Sequence, residues 1–587
     1  MIKKLLKSVR EYKTASIIVP VLMAVEAIME IVIPFLMTFI VGELQAVAED
    51  KTGTREVDIN VIIVSAVLMI VCAVIALISG AAGAKLAAKA SSGFAHNLRE
   101  DMYNNLQTFS FANIDNYSTA SLITRITTDV TNVQNAYQMA IRMLVRAPIL
   151  FIASIIMTIV IEPIMALIFG GAAIALGVVV AFCMVKVVPY FRTMFRKYDS
   201  LNAVLQENLT AIRVVKSYVR EDREILKMKK ATGDVYTYSV KAERILTIMM
   251  PSVMLVMFIV NIIILTMGSN MYVGNIAGGI QPSELQTLIQ YSAQILSGVM
   301  MVAMCLNFIA LSRGSAERIV QVLEETTTLP KSKEQIKEVK DGSIDFENVE
   351  FCYSQKADVA VLKDIDVHIK SGETIGIIGA TGSGKSSLVS LIPRLYDPSK
   401  GTVKVGGIDV KKYNLDALRN TVAMVLQKNV LFSGTIAENL RWGDETATDE
   451  QVREAAVQAC ADEFIQNLPG KYNYDLGQGG VNVSGGQKQR LCIARALLKH
   501  PKVIIFDDST SAVDTKTDAI IRENLRKYAP ETTKIIIAQR VASVQDADRI
   551  IVLDEGRING IGTHEELLAN NEIYKDVYES QMKGGEE

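Results

Sequence analysis

Two adjacent carboxylates, Asp507 and Asp508, end the apolar run Val503 to Phe506. Such a run suits a strand buried on both faces of a parallel sheet. Ligands of these sheets bind beyond the carboxyl ends of the strands. An acid pair there can support Mg2+ with its first member and orient a water with its second. A phosphate site is written in the same half of the chain. Ile375-Gly-Ile-Ile378 reads as a strand, and Gly379-Ala-Thr381-Gly382-Ser383-Gly384-Lys385-Ser386-Ser387 follows it and opens an apolar helix. That strand–loop–helix order is the context a phosphate loop needs. Its glycines let backbone N–H groups wrap phosphate oxygens, with Lys385 placed for the β- and γ-phosphates and Ser386 for Mg2+. ATP and Mg2+ are the expected cofactors.

Around this chemistry the chain must supply more than one core, because 587 residues exceed what a single one holds. Half of the residues are hydrophobic, with the excess concentrated in the first half. A net charge of −2 argues against a nucleic-acid partner. Cys72, Cys183, Cys305, Cys352, Cys460 and Cys492 are scattered without metal-ligand spacing and read as reduced thiols. The expected division is a membrane domain over 1–325, a polar linker over 326–342 and a nucleotide-binding domain over 343–587.

Residues 2–13 are basic and amphipathic, which suits a short helix at the membrane interface. The apolar stretch after them is too long for a cleaved signal, so it is expected to remain. Six apolar segments, near 15–42, 58–84, 137–161, 163–185, 245–270 and 285–311, are each long enough to span, with Glu162 and Pro163 making a tight turn. The segment from Lys186 to Arg244 is dense in Lys and Arg, whereas 162–163 and 271–284 contain none. The positive-inside rule then predicts a multi-pass protein of the plasma (inner) membrane with both termini cytoplasmic. The cytoplasmic stretches 85–136 and 186–244 keep helical character and should extend the spans beyond the bilayer.

Within the spans, Glu26 and Glu30 share one helix face, as do Arg142 and Arg146. Counting residues back from the outer end of the third span places the arginines near the depth of the glutamates. Two readings stand: a structural ion-pair cluster, or an acidic patch facing a cationic or amphipathic substrate. Met249, Met250, Met254, Met257, Met300, Met301 and Met304 suit packing, or a cavity that adapts to varied hydrophobic ligands.

A further motif, Val483-Ser484-Gly485-Gly486-Gln487, precedes a helix about 20 residues before the Asp507 strand. With the phosphate loop and six preceding spans it resembles the ATP-binding cassette (ABC) family, and the whole chain looks like a multidrug-type ABC exporter half-transporter. The resemblance implies an all-α six-helix transmembrane domain fused to an α/β nucleotide-binding domain with a helical subdomain. It implies that Tyr353 stacks on adenine and that Gln427 senses Mg2+. It makes Asp507 the Mg2+-supporting acid. Ser511 to Asp514 would form the loop that crosses between paired nucleotide domains, and Ser484 to Gln487 the signature that caps ATP held by the other domain. Asn113 to Tyr117 and Glu207 to Lys216 resemble the family's two intracellular-loop regions. Sites shared between two nucleotide domains imply a second half-transporter as partner.

The chain departs from the family where water meets the γ-phosphate. Asp508 stands where a glutamate is expected, and Gln539 where a histidine is expected. Smaller departures are Val483 for leucine and Gln478 for glutamate. The two large changes share one corner while the nucleotide-holding residues match, which points to a site that binds ATP and hydrolyses it slowly in a heterodimer. The alternatives are a homodimeric lipid or peptide exporter in which Asp508 suffices, and an ATP-gated channel.

Overall fold

The computed structural model describes residues 1–50, 55–273, 280–330, 334–353, 360–508 and 513–583. Among these, six helices are long and apolar enough to cross a membrane. They are α1 (Lys13–Ala48), α2 (Ile59–Gln107), α3 (Val130–Ile161), α4 (Pro163–Thr210), α5 (Glu221–Val273) and α6 (Pro282–Glu324). Each contains an expected span, and most run well past it. The 49 residues of α2 would measure about 74 Å, against roughly 30 Å of hydrocarbon.

Sequence details explain these helices and their packing. Only Glu162 separates α3 from α4, its side chain accepting from the Ile164 N–H at 3.4 Å. Pro163 begins α4, where its missing N–H costs nothing. On α2, Ile63, Val67, Ile70, Val74 and Leu77 form an exposed stripe at helical spacing, the face a lipid-contacting helix presents. The opposite side of α2 carries Gly83, where a Cβ would lie 2.4 Å from Met23 Cε of α1. Small residues of this kind let membrane helices approach closely. Residues 2–12 form two short helices that pack onto α2, and Lys13 already begins α1. Leu5 and Val9 are buried, Ser8 Oγ donates to Asp101 Oδ2 at 2.6 Å, and Asn97 Nδ2 donates to Ser8 O at 3.1 Å.

The chain forms two compact units, Met1–Gln107 with Thr119–Glu325, and Thr108–Ser118 with Thr326–Glu587. Thr108–Ser118 therefore groups with the nucleotide-binding half, away from its neighbours in sequence. The polar stretch 326–342 is also partly packed: Leu329 and Val339 are buried, and Ile336 pairs with Tyr413.

The second unit holds strands β1 (Ile344–Phe351), β2 (Leu362–Ile369), β3 (Thr374–Ile378), β4 (Lys400–Val405), β5 (Ile408–Asp409), β6 (Val422–Val425), β7 (Val503–Asp507), β8 (Thr533–Ile537), β9 (Arg549–Asp554) and β10 (Arg557–Gly562). One antiparallel sheet runs β2-β1-β4-β5; the other runs β10-β9-β3-β8-β7-β6, parallel except for β10. Along β7, Val503 and Ile505 enter the core between the sheets, while Ile504 and Phe506 enter the core under the helices. Both faces of β7 are covered, which is why its sequence is apolar without alternation.

Candidate functional site

Three neighbouring strand ends assemble the chemistry. β6, β7 and β8 lie side by side and parallel, with Val425 opposite Phe506 and Asp507 opposite Ile537. Gln427 follows β6 by two residues and Gln539 follows β8 by two, so both flank the acid pair at the end of β7. Beside them, β3 leads through Gly379–Gly384 into helix α7 (Lys385–Ser390). Tyr353, Thr381, Gly382, Gly384, Lys385, Ser386, Ser387, Gln427, Asp507, Asp508 and Gln539, with Val361 and Ile537, line one open cleft of about 380 Å³.

The cleft has the donors and acceptors for a magnesium triphosphate. Ser386 Oγ donates to Asp507 Oδ1 at 2.8 Å. Lys385 Nζ donates to the carbonyls of Gly379 and Ala380, each at 2.8 Å. Burial pushes the Asp507 carboxyl up, and the Asp508 charge adds to it against the Ser386 hydroxyl and Lys385. Burial pushes the Lys385 ammonium down, opposed by both aspartates. Phosphate oxygens would return counter-charge to Lys385, and a divalent cation would do so for Asp507. The enclosed Ser383 Oγ has no hydrogen-bond partner among the described residues, leaving a further donor for a phosphate in the loop. The residues present fit ATP with Mg2+.

The loop also leaves no room for error. A Cβ on Gly379 would lie 2.1 Å from the Leu553 carbonyl oxygen of β9. Gly379→Ala is expected to weaken ATP binding at least about tenfold, because the loop must shift to relieve the overlap. Titration with a fluorescent ATP analogue reads this directly; unchanged affinity would show that the loop tolerates the shift.

Asp508 is held differently from Asp507. Its backbone sits in the left-handed region (φ 47°), and its N–H donates to Ile537 O at 3.1 Å. The same carboxylate oxygen, Oδ2, accepts from Gln539 Nε2 at 2.7 Å and from Gln427 Nε2 at 3.3 Å. At the cleft mouth Tyr353 is half exposed, its Oη 2.9 Å from Ser387 Oγ. Its ring stands edge-on to Tyr396, with centroids 5.2 Å apart. Tyr396 Oη donates to Asp115 Oδ2 at 2.7 Å, and Asp115 ends the helix Phe111–Asp115. Burial, helped by that carboxylate, pushes the Tyr396 phenol up. Nothing in the sequence singled out Tyr396 or Asp115 as partners, since they lie 281 positions apart.

The remaining motif residues lie outside the cleft lining. Ser484 caps helix α8 (Gly485–Leu497): Ser484 Oγ accepts from Gln487 N at 3.3 Å and Gln487 Oε1 from Ser484 N at 2.9 Å. Ser484 and Gly485 are exposed. Asp514 caps helix α9 (Thr515–Tyr528) by accepting from Thr517 N and Oγ1, each at 2.9 Å. Ser511 lies outside the described residues. In the first unit, Arg146 pairs with both Glu26 and Glu30, whereas Arg142 makes no ion pair among the described residues. The second predicted loop region, Glu207 to Lys216, spans the last turn of α4 and most of the short, largely exposed helix Ile212–Ser217 before α5.

Known proteins share this arrangement. Residues 16–300 match the family model of the ABC transporter transmembrane region, and residues 362–511 match the ABC transporter model. The uncharacterized ABC transporter ATP-binding protein YfiB of Bacillus subtilis is 33% identical over 580 residues, covering 99% of this chain and 98% of YfiB. The chain belongs to the ABC transporter family. A putative multidrug export ATP-binding/permease protein of Staphylococcus aureus is 32% identical over 505 residues, covering 84% of this chain and 85% of that one. Among solved structures, a bacterial Atm1-family ABC exporter with ATP bound superposes with a TM-score of 0.80 at 23% identity, covering 97% and 98% of the two chains. The six apolar helices and the α/β nucleotide-binding domain thus form the fold of an Atm1-type ABC exporter. This ABC transporter is a multi-pass membrane protein, and its ATP-binding domain is of the kind that hydrolyses ATP to drive transport.

Proposed function

We propose that this ABC transporter chain is one half of a heterodimeric exporter that moves amphipathic or hydrophobic compounds out across the plasma (inner) membrane, with both termini and the nucleotide domain cytoplasmic. Its own site holds ATP and hydrolyses it slowly, while Ser484 to Gln487 complete the active site of the partner half. The observation that carries this reading is Asp508 Oδ2 accepting from two amides, Gln427 and Gln539. An aspartate stands one methylene behind the position a glutamate would occupy. Two amide donors drawn to one oxygen tie that oxygen down and occupy lone pairs that an attacking water would need. The multidrug description of the Staphylococcus aureus relative supports the substrate class.

In this reading Tyr353 offers its exposed ring to adenine, and Lys385 with the loop N–H groups holds the phosphates. Ser386 and Asp507 would hold Mg2+, which would supply positive charge to neutralise the phosphates. Gln539 brings no titratable imidazole to the γ-phosphate corner. Asp514 orders the start of α9. Tyr396 ties the nucleotide cleft to the helix Phe111–Asp115 through Asp115.

ATPase and transport assays on the chain purified alone and on the co-expressed pair test the proposal. The expected result is low turnover alone and drug-stimulated turnover in the pair, lost when Ser484 is replaced. Full stimulated turnover and transport by the chain alone would overturn it in favour of a homodimer with a working Asp508.

A further inference from the structure

The part-buried charges on the α1 and α3 helices of the membrane unit are unevenly paired. Arg146 reaches Glu26 Oε1 with one guanidinium nitrogen at 3.3 Å and Glu30 Oε2 with the other at 2.9 Å. One cation shared by two acids leaves one negative charge over. Glu30 is 44% exposed, while Glu26 and Arg146 are 18% and 20% exposed, so Glu30 is the acid of the pair open to a ligand. Gly80 of α2 gives the Glu26 carboxyl its room, since a Cβ there would lie 3.1 Å from Glu26 Cδ. Gln294 of α6 fixes the glutamate backbone, donating to Glu30 O at 3.1 Å while its own oxygen accepts from Ser154 Oγ at 3.2 Å. The glutamates are therefore held in place from three other helices.

Arg142 lies one turn before Arg146 on the same face of α3, about 6 Å along the axis. It makes no ion pair among the described residues, and its Nε is enclosed without a hydrogen-bond partner. Glu26 Oε2 and Arg146 Nε are enclosed and likewise have no partner among the described residues. Two acids thus share one cation, Arg146, while a second cation without an acid among the described residues, Arg142, lies one helical turn from Arg146. We propose that Glu30 and Arg142 form a dipolar recognition site for a zwitterionic amphiphile, its ammonium toward Glu30 and its phosphate or carboxylate toward Arg142. The proposal deepens the exporter reading and rests on it, and it narrows the cationic preference that the two glutamates alone suggested. Arg146 serves as a positioning residue that keeps one acid charge in surplus.

Three probes of equal chain length separate the possibilities: an alkylphosphocholine, an alkyltrimethylammonium and an alkyl phosphate. In the assembled transporter in vesicles, the phosphocholine is expected to stimulate ATPase and be transported at about tenfold lower concentration than either singly charged probe. Arg142→Gln should move the preference to the cation and Glu30→Gln to the anion, while Arg142→Lys keeps the phosphocholine preference. Binding of a fluorescent alkylphosphocholine to the purified complex without nucleotide separates lost recognition from lost turnover. An alkyl-free glycerophosphocholine arm distinguishes headgroup capture in water from capture of a lipid. Transport of all three probes at equal concentrations would overturn the zwitterion site and leave the exporter reading standing. No transport of any probe, with basal ATPase intact, would overturn both.

Discussion

In the assembled transporter, Asp508→Glu combined with Gln539→His is expected to raise ATPase about twofold overall, as a second competent site joins the first. At the altered site itself the gain should be on the order of 100-fold. The longer side chain advances the carboxylate by roughly 1.5 Å, and misplacement of about 1 Å in a reacting group can cost two orders of magnitude. The exchange at 539 also removes the amide that donates to Asp508 Oδ2 at 2.7 Å and brings an imidazole to the γ-phosphate corner. Transport should stay level or fall, because a site that turns over releases the closed nucleotide domains sooner. Single-site turnover is read with the partner's own acid replaced. If ATPase does not rise there, the slow step lies outside the Asp508–Gln539 corner.

Arg146→Met is expected to produce the largest loss of stability in the membrane unit. It conserves much of the side-chain volume but strips Glu26 and Glu30 of the cation they share. Removing one partner of a buried pair costs about 3–5 kcal/mol, and the 44% exposure of Glu30 reduces its share, so about 3 kcal/mol is expected. The readout is a thermal midpoint lower by several degrees in detergent. Adding Glu26→Gln and Glu30→Gln to Arg146→Met should recover most of the loss, since a neutral cluster has no stranded charge. A single variant as stable as the parent would mean that the glutamates are hydrated well enough not to need Arg146.

Much of the cleft that gathers the candidate residues was legible in the chain because its signals are local. The loop Gly379–Ser386 needs a strand before it and a helix after it, and both are contiguous with it. The β7 run is apolar because both faces of that strand are covered, so its burial could be read from composition. Helix boundaries were less legible. Apolar length marks only what lipid covers, and α2 continues to Gln107 on residues of mixed polarity that pack against protein.

The sequence by itself determined the two-part organisation, the six spans, the phosphate loop and the unusual pair Asp508 and Gln539. Hydrophobic run length and backbone-driven phosphate binding are properties of short contiguous segments. Only the tertiary structure decided who meets whom. Helix rotation brought Arg146 to both glutamates and left Arg142 without an acid among the described residues, although both arginines share one face in sequence. The order β8-β7-β6 placed Gln427 and Gln539 on either side of Asp508. Thr108–Ser118 joined the second unit, where Asp115 meets Tyr396. Each pairing depends on strand order or helix azimuth set by the whole core, and no local pattern encodes those.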